Sequence, residues 1–156
     1  MRILTMVALM LSACSICPKA TAAIDDEAKI LAVIDQMFEG LRNRDADAWR
    51  RLMHEDGQWF IQRRADGDDW HTESTSTIER IMALSAESAT VDEAYESPII
   101  MIHGTIATFW APFKARVDGA LVQCGVNSFQ LVKQDGNWKI ANIMYTAERC
   151  DSQPRE

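Results

Sequence analysis

TIATFWAPFKARVDGALVQCGVNSFQLVKQDGNWKIANIMYTA, residues 105–147, holds three runs rich in β-branched and aromatic residues. Two Asp-Gly pairs, Asp118-Gly119 and Asp135-Gly136, separate them. Asp-Gly accepts the positive φ angles of a type I′ turn, the turn whose twist matches that of paired strands. The stretch therefore predicts antiparallel strands over 105–117, 120–133 and 137–147. A fourth strand, 91–103, is expected just before them.

Upstream of the strands the apolar period changes. Ile30, Ile34, Met37, Phe38 and Leu41 fall on one helical stripe, which predicts a helix over 26–43 with Asp25 or Asp26 as cap. Asp45 should cap a second helix carrying Ala48, Trp49, Leu52 and Met53, ended by Gly57. Residues 58–63 read as a strand and 65–71 as a loop. Ser76-Thr77-Ile78-Glu79 matches a capping box, in which a Ser hydroxyl and a Glu three residues on satisfy each other's backbone amides. A third helix with Ile78, Ile81 and Met82 should follow. The order is helix, helix, strand, helix, then a meander. It predicts an α+β domain with three helices packed on one face of a curved antiparallel sheet.

The 156 residues are 47% hydrophobic and 25% charged, the composition of a globular chain with one core. The formal charge is -7, with no basic patch, which argues against nucleic acid as a partner. Residues 1–23 read as a secretory signal. Arg2 is the positive start, residues 3–13 are an apolar run too short to span a bilayer, Pro18 is expected to break the helix, and Ala20-Thr21-Ala22-Ala23 offers a cleavage site. No transmembrane span is expected. The alternative is lipid anchoring through Cys14, because Leu11-Ser12-Ala13-Cys14 resembles a lipobox. Cleavage would leave a domain at 24–150 and a short tail at 151–156, in a periplasmic or secreted protein. It removes Arg2 and Lys19 and no acid, so 14 basic and 23 acidic residues leave a charge of -9. Cys124 and Cys150 survive the cut. In an oxidising compartment they are expected to form a disulfide, the other reading being two buried thiols.

The order of elements, with Phe109-Trp110-Ala111-Pro112-Phe113, the run from Cys124 to Val132, and Gly136-Asn137-Trp138-Lys139-Ile140, resembles the nuclear transport factor 2-like superfamily. The likeness spans about 26–147. It is strongest to exported bacterial SnoaL-like or "putative lumazine-binding" domains. The resemblance implies a cone-shaped sheet wrapped round a pocket that helices close, and two-fold pairing of sheets. The superfamily is functionally mixed, so fold alone gives no function. The resemblance also places the catalytic aspartate of ketosteroid isomerases at Asn127, their general base at Ile61 and their oxyanion tyrosine at Met37. Ile61 cannot take a proton, so that mechanism is not expected here.

Tight Asp-Gly turns pair residues whose numbers sum to 237 and to 271. That register sets Trp110, Pro112, Gly125, Asn127, Asn142 and Met144 on one face, and the place of Asn127 makes it the concave one. The expected ligand-binding set is Trp59, Ile61, Trp110, Asn127, Asn142 and Met144, an apolar pocket with few polar handles. The opposite face would carry Phe109, Phe113, Val126, Ile143 and Tyr145, an apolar surface suited to a homodimer. A slip of one residue would exchange the faces.

No spacing of His or Cys suits a metal, and no Gly-rich loop suits a phosphate, so neither metal nor cofactor is implied. Asp66, Asp68 and Asp69 lack the later Glu of a calcium loop. His103 and His71 could each be a general base, and neither has an identifiable catalytic partner. Three readings follow: a domain binding a small, largely apolar molecule; a lyase, isomerase or hydrolase using one of those histidines with Asn127; or a structural dimer with a filled cone.

Overall fold

A computed structural model describes residues 18–64 and 69–150. The elements run α1 (Pro18–Asn43), α2 (Ala46–Leu52), β1 (Met53–Arg64), β2 (Trp70–Ser76), α3 (Thr77–Ala86), β3 (Val91–Tyr95), β4 (Ile99–His103), β5 (Ile106–Val117), β6 (Ala120–Gln134) and β7 (Asn137–Ala147). One mixed sheet of seven strands has the order β2-β1-β7-β6-β5-β3, with β4 beside β5. Every junction is antiparallel except β1 with β7, which is parallel. The chain is an α+β fold whose helices cover the concave side of a curved sheet.

Local chemistry sets the ends of the elements as expected. Asp45 accepts from the Ala48 amide at 2.8 Å and caps α2. Ser76 and Glu79 form a full capping box at α3. Asp118, Gly119, Asp135 and Gly136 all have positive φ, as the two turns require. Four boundaries differ from expectation. Helix α1 is helical from the first described residue, Pro18, and so begins before the expected 26. Met53 begins β1 instead of ending α2. His71 lies in β2, which pairs with β1 through His71 and Arg63. The long strand expected over 91–103 divides into β3 and β4 at Glu96-Ser97-Pro98, where Ser97 has a φ of 46°. Residues 1–17, with Cys14, and Asp66 and Asp68 lie outside the described residues.

The stripe of α1 packs Ile30, Ile34, Met37 and Phe38 onto the sheet, and Phe38 lies 6.1 Å from Phe129. Asp26 ties the start of this stripe to the sheet. It accepts from Lys133 Nζ at 2.6 Å and from Trp138 Nε1 at 3.1 Å, and these bonds, Lys133's foremost, hold its carboxyl below the usual range. Cys124 and Cys150 form a disulfide, and the Cys124 and Glu148 backbones exchange two hydrogen bonds beside it.

Two β-bulges decide which side chains face the helices. Beside the first turn the register is 237, as in Arg116 opposite Leu121. Beyond it Ala115 lies opposite Gln123, so Val122 is an extra residue and the sum becomes 238. Beside the second turn Leu131 lies opposite Ile140, at 271. Beyond it Gln130 faces Asn142, so Ala141 is extra. Each bulge moves one strand by one residue relative to its neighbour, which exchanges its faces. Trp110, Asn142 and Met144 are therefore on the convex side, against expectation. Phe109, Phe113, Ile143 and Tyr145 are on the concave side, where the first three are at most 3% exposed. Asn127 keeps its expected concave place and Val126 its convex one, because both belong to β6.

Candidate functional site

The concave side holds a half-open cavity of about 260 Å³ between the sheet and all three helices. Five aromatic rings contribute to its wall: Phe38 from α1, Trp49 from α2, Trp59 from β1, Phe129 from β6 and Tyr145 from β7. The Trp49 indole donates to the Met37 carbonyl at 2.9 Å and stacks on Trp59 at 5.4 Å, which fixes both rings. Phe113 meets Tyr145 edge-on at 6.1 Å behind the wall. Exposed Glu87 and Val122 lie at the rim.

Three ionisable groups lie behind the rim of this cavity. Glu93 on β3 pairs with Ala115 across the sheet, which directs it inward with Asn127. Its Oε1 accepts from Asn127 Nδ2 at 2.6 Å. Burial pushes the Glu93 carboxyl up to about 7, with the Asn127 bond opposing in part. Arg80 on α3 lies with its guanidinium carbon 5.0 Å from the centre of the Trp59 ring, a cation–π contact. Its Nε is buried with no hydrogen-bond partner. Tyr145 is the third group; burial raises its hydroxyl, while Arg80 and Arg63 pull the other way. A carboxyl that titrates near neutrality, an unsatisfied guanidinium donor and a phenol can together orient a small polar group on an otherwise apolar molecule.

Of the expected binding set, Trp59 and Asn127 line this cavity. Ile61 is buried on the same face of β1 as Trp59. The other three lie across the sheet. Trp110 and Met144 are 40% and 48% exposed, and Asn142 spends its amide on the Gln58 N–H and on Gln130. His71 and His103 are exposed and outside the cavity, so neither is placed to act with Asn127. His71 Nε2 lies 3.4 Å from Glu73. Among the described residues no group of three His, Cys, Asp or Glu could hold a metal, and no helix is long and apolar enough to cross a membrane.

Arg80, Glu93 and Tyr145 are missing from the expected set. In Val91-Asp92-Glu93-Ala94-Tyr95, Glu93 stands at the same parity as Val91 and Tyr95, an acid at an inward position. Arg80 stands four residues before buried Leu84, on the packed face of α3.

Residues 25–146 match the model of the family described as "Putative lumazine-binding". A comparison with curated proteins finds no match. Three solved structures show the same fold. A protein of unknown function from Mycobacterium tuberculosis has a TM-score of 0.70 and 16% identity, over 88% of this chain and 79% of that one. The beta subunit of a "putative aromatic-ring-hydroxylating dioxygenase" from Novosphingobium aromaticivorans has a TM-score of 0.68 and 12% identity, over 85% and 95%. A nuclear transport factor 2-like protein from Cytophaga hutchinsonii has a TM-score of 0.64 and 19% identity, over 76% and 95%. At these identities the likeness establishes the fold.

Proposed function

This chain belongs to the lumazine-binding-type family of nuclear transport factor 2-like domains, and from that premise we propose that its cone binds a small, largely apolar molecule, without a histidine base. The supporting observation is the cavity of about 260 Å³ that five aromatic rings help to line, together with Asn127, Glu93 and Arg80. Ligand sites are mostly apolar with a few placed polar groups, and this space has that character. A filled cone would leave no such volume, which weighs against a purely structural role. His71 and His103 stand outside, which removes the observation that favoured a histidine-dependent lyase, isomerase or hydrolase.

Native mass spectrometry of the purified protein tests the reading, together with thermal shifts against one- and two-ring neutral aromatic compounds. We expect a retained mass or a clear upward shift. A bare homogeneous mass and no shift across the series would defeat it.

The ligand-binding domain is further proposed to be exported and to pair as a homodimer through the convex sheet face. The apolar run at 3–13 and the disulfide support export. N-terminal sequencing should find Ile24 first; a lipid-modified Cys14 would replace free export with anchoring.

A further inference from the structure

Arg80 presents a problem that the fold leaves open. Its Nε–H is buried and has no acceptor among the described residues. A buried donor left unpaired costs about 1–3 kcal/mol, so a group that is normally bound there should supply an acceptor. The stacking on Trp59 offsets part of the positive charge but does not accept that hydrogen. Arg80 forms no ion pair with Glu93 among the described residues, although both line the same cavity. A planar guanidinium fork matches a carboxylate with two parallel hydrogen bonds.

We propose that the cavity takes a one- or two-ring aromatic carboxylate, its ring among Trp59, Phe38 and Phe129 and its carboxylate on Arg80. The inference rests on the cavity being a ligand site at all, as argued above. Size supports it: an apolar cavity of ~150 Å³ holds a single benzene ring, so about 260 Å³ suits one or two rings with a small substituent. Charge supports a single negative group. Arg80 is the one cation among the residues lining the cavity, and Glu93 would repel a dianion such as a phosphate monoester.

A consequence concerns protons. An anion entering an apolar space beside the Glu93 carboxyl favours the protonated form of that carboxyl, so binding at neutral pH takes up a proton there. The groups facing Glu93 are Asn127 on β6, Arg80 and Glu87 at α3, and Tyr145 on β7. Tyr95 on β3 itself donates to Asp35 of α1 at 2.8 Å, and the rest of α1 offers apolar Met37, Phe38 and Leu41.

Calorimetric titration of the folded, disulfide-bonded protein with benzoate, 2-naphthoate and the neutral 2-naphthamide separates the possibilities. A carboxylate should bind at least tenfold tighter than the amide. Arg80→Gln should cut the carboxylate's advantage over the amide to within about twofold, and Arg80→Lys, which keeps the charge but not the fork, should fall between. Carboxylate affinity should drop about tenfold between pH 6 and pH 8, and Glu93→Gln should flatten that slope. Amide binding as tight as the carboxylate, or an equal loss of both in Arg80→Gln, overturns the carboxylate assignment and leaves the ligand cavity standing. Failure of all three probes overturns this inference; the ligand reading falls with it only if the wider neutral series above also fails.

Discussion

Glu93 carries a cost that depends on pH. In acid, well below its ordinary value of 4.5, the carboxyl is protonated in both the folded and the unfolded chain, so it is neutral to stability. As pH rises the unfolded chain ionises freely, while the folded chain holds its proton to about 7 or buries a charge. Folding therefore loses stability between those two values and gains none of it back above them. Glu93→Gln removes the ionisation and leaves a carbonyl oxygen for Asn127 to donate to. The variant should match the parent near pH 4 and exceed it by on the order of 2–3 kcal/mol near pH 8. Urea unfolding at the two pH values measures it, and a constant difference would mean the carboxyl is well solvated. At this scale the sequence makes Asn127 and Trp59 legible and hides Arg80. A single charged residue in an amphipathic helix looks the same whether its head reaches solvent or a cavity, because only the packing of α1 and β1 around it settles the direction.

The strand faces were readable in part, and the bulges explain where reading stopped. Turn chemistry fixes only the first few pairs beside each Asp-Gly. The apolar pattern gives a second, independent account of register. Phe109, Ala111 and Phe113 on β5 need odd-numbered partners to bury with Phe129 and Leu131, whereas a sum of 237 pairs odd with even. In β7 the buried residues switch from Trp138 and Ile140 to Ile143 and Ala147, so the parity changes within one strand, at Ala141. A conflict between turn register and burial pattern is thus the sequence signature of a bulge, and no residue type marks it, since Val122 and Ala141 are ordinary strand residues. Helix caps and turns were legible because each depends on two or three neighbouring residues. Two glycines of the β5–β6–β7 meander should then differ sharply. Gly119, with a φ of 84° and nothing within 4 Å of an added Cβ, should cost about 1 kcal/mol as Ala, from backbone strain alone. At Gly125 an added Cβ would lie 2.0 Å from the Thr146 carbonyl oxygen, so β6 and β7 must separate beside the disulfide. Gly125→Ala should cost well over 2 kcal/mol by the same denaturation measurement. Equal losses at the two positions would show that β7 yields easily there.

Over the whole molecule, reversing the faces changes which residues a partner would meet. One rung of the sheet runs Ile99, Trp110, Ser128, Met144, Phe60, each opposite the next across four strand junctions. At ~4.8 Å per strand it is about 19 Å long. Its four large apolar side chains are 55%, 40%, 48% and 39% exposed. Met101, on the neighbouring rung of the same face, is 62% exposed. These residues, with Val126, replace the concave-facing Phe109, Phe113, Ile143 and Tyr145 as the surface for the proposed homodimer. Tryptophan and methionine on the convex sheet face, with Ser128 between them and Gln130 and Asn142 beside them, have the make-up of an interface core with polar neighbours. A two-fold axis through the rung would set each row against its copy. Trp110→Lys together with Met144→Lys should therefore yield a monomer by size exclusion with light scattering, while ligand binding persists, because both side chains lie across the sheet from Arg80 and Glu93. The parent should be dimeric at micromolar concentration, with a melting temperature that rises on concentration and a variant that lacks this dependence. A parent that stays monomeric throughout would sink the dimer. Loss of the fold in the double variant would place these side chains in the core, against their exposure, and Trp110→Ser would then distinguish a failed interface from a failed fold.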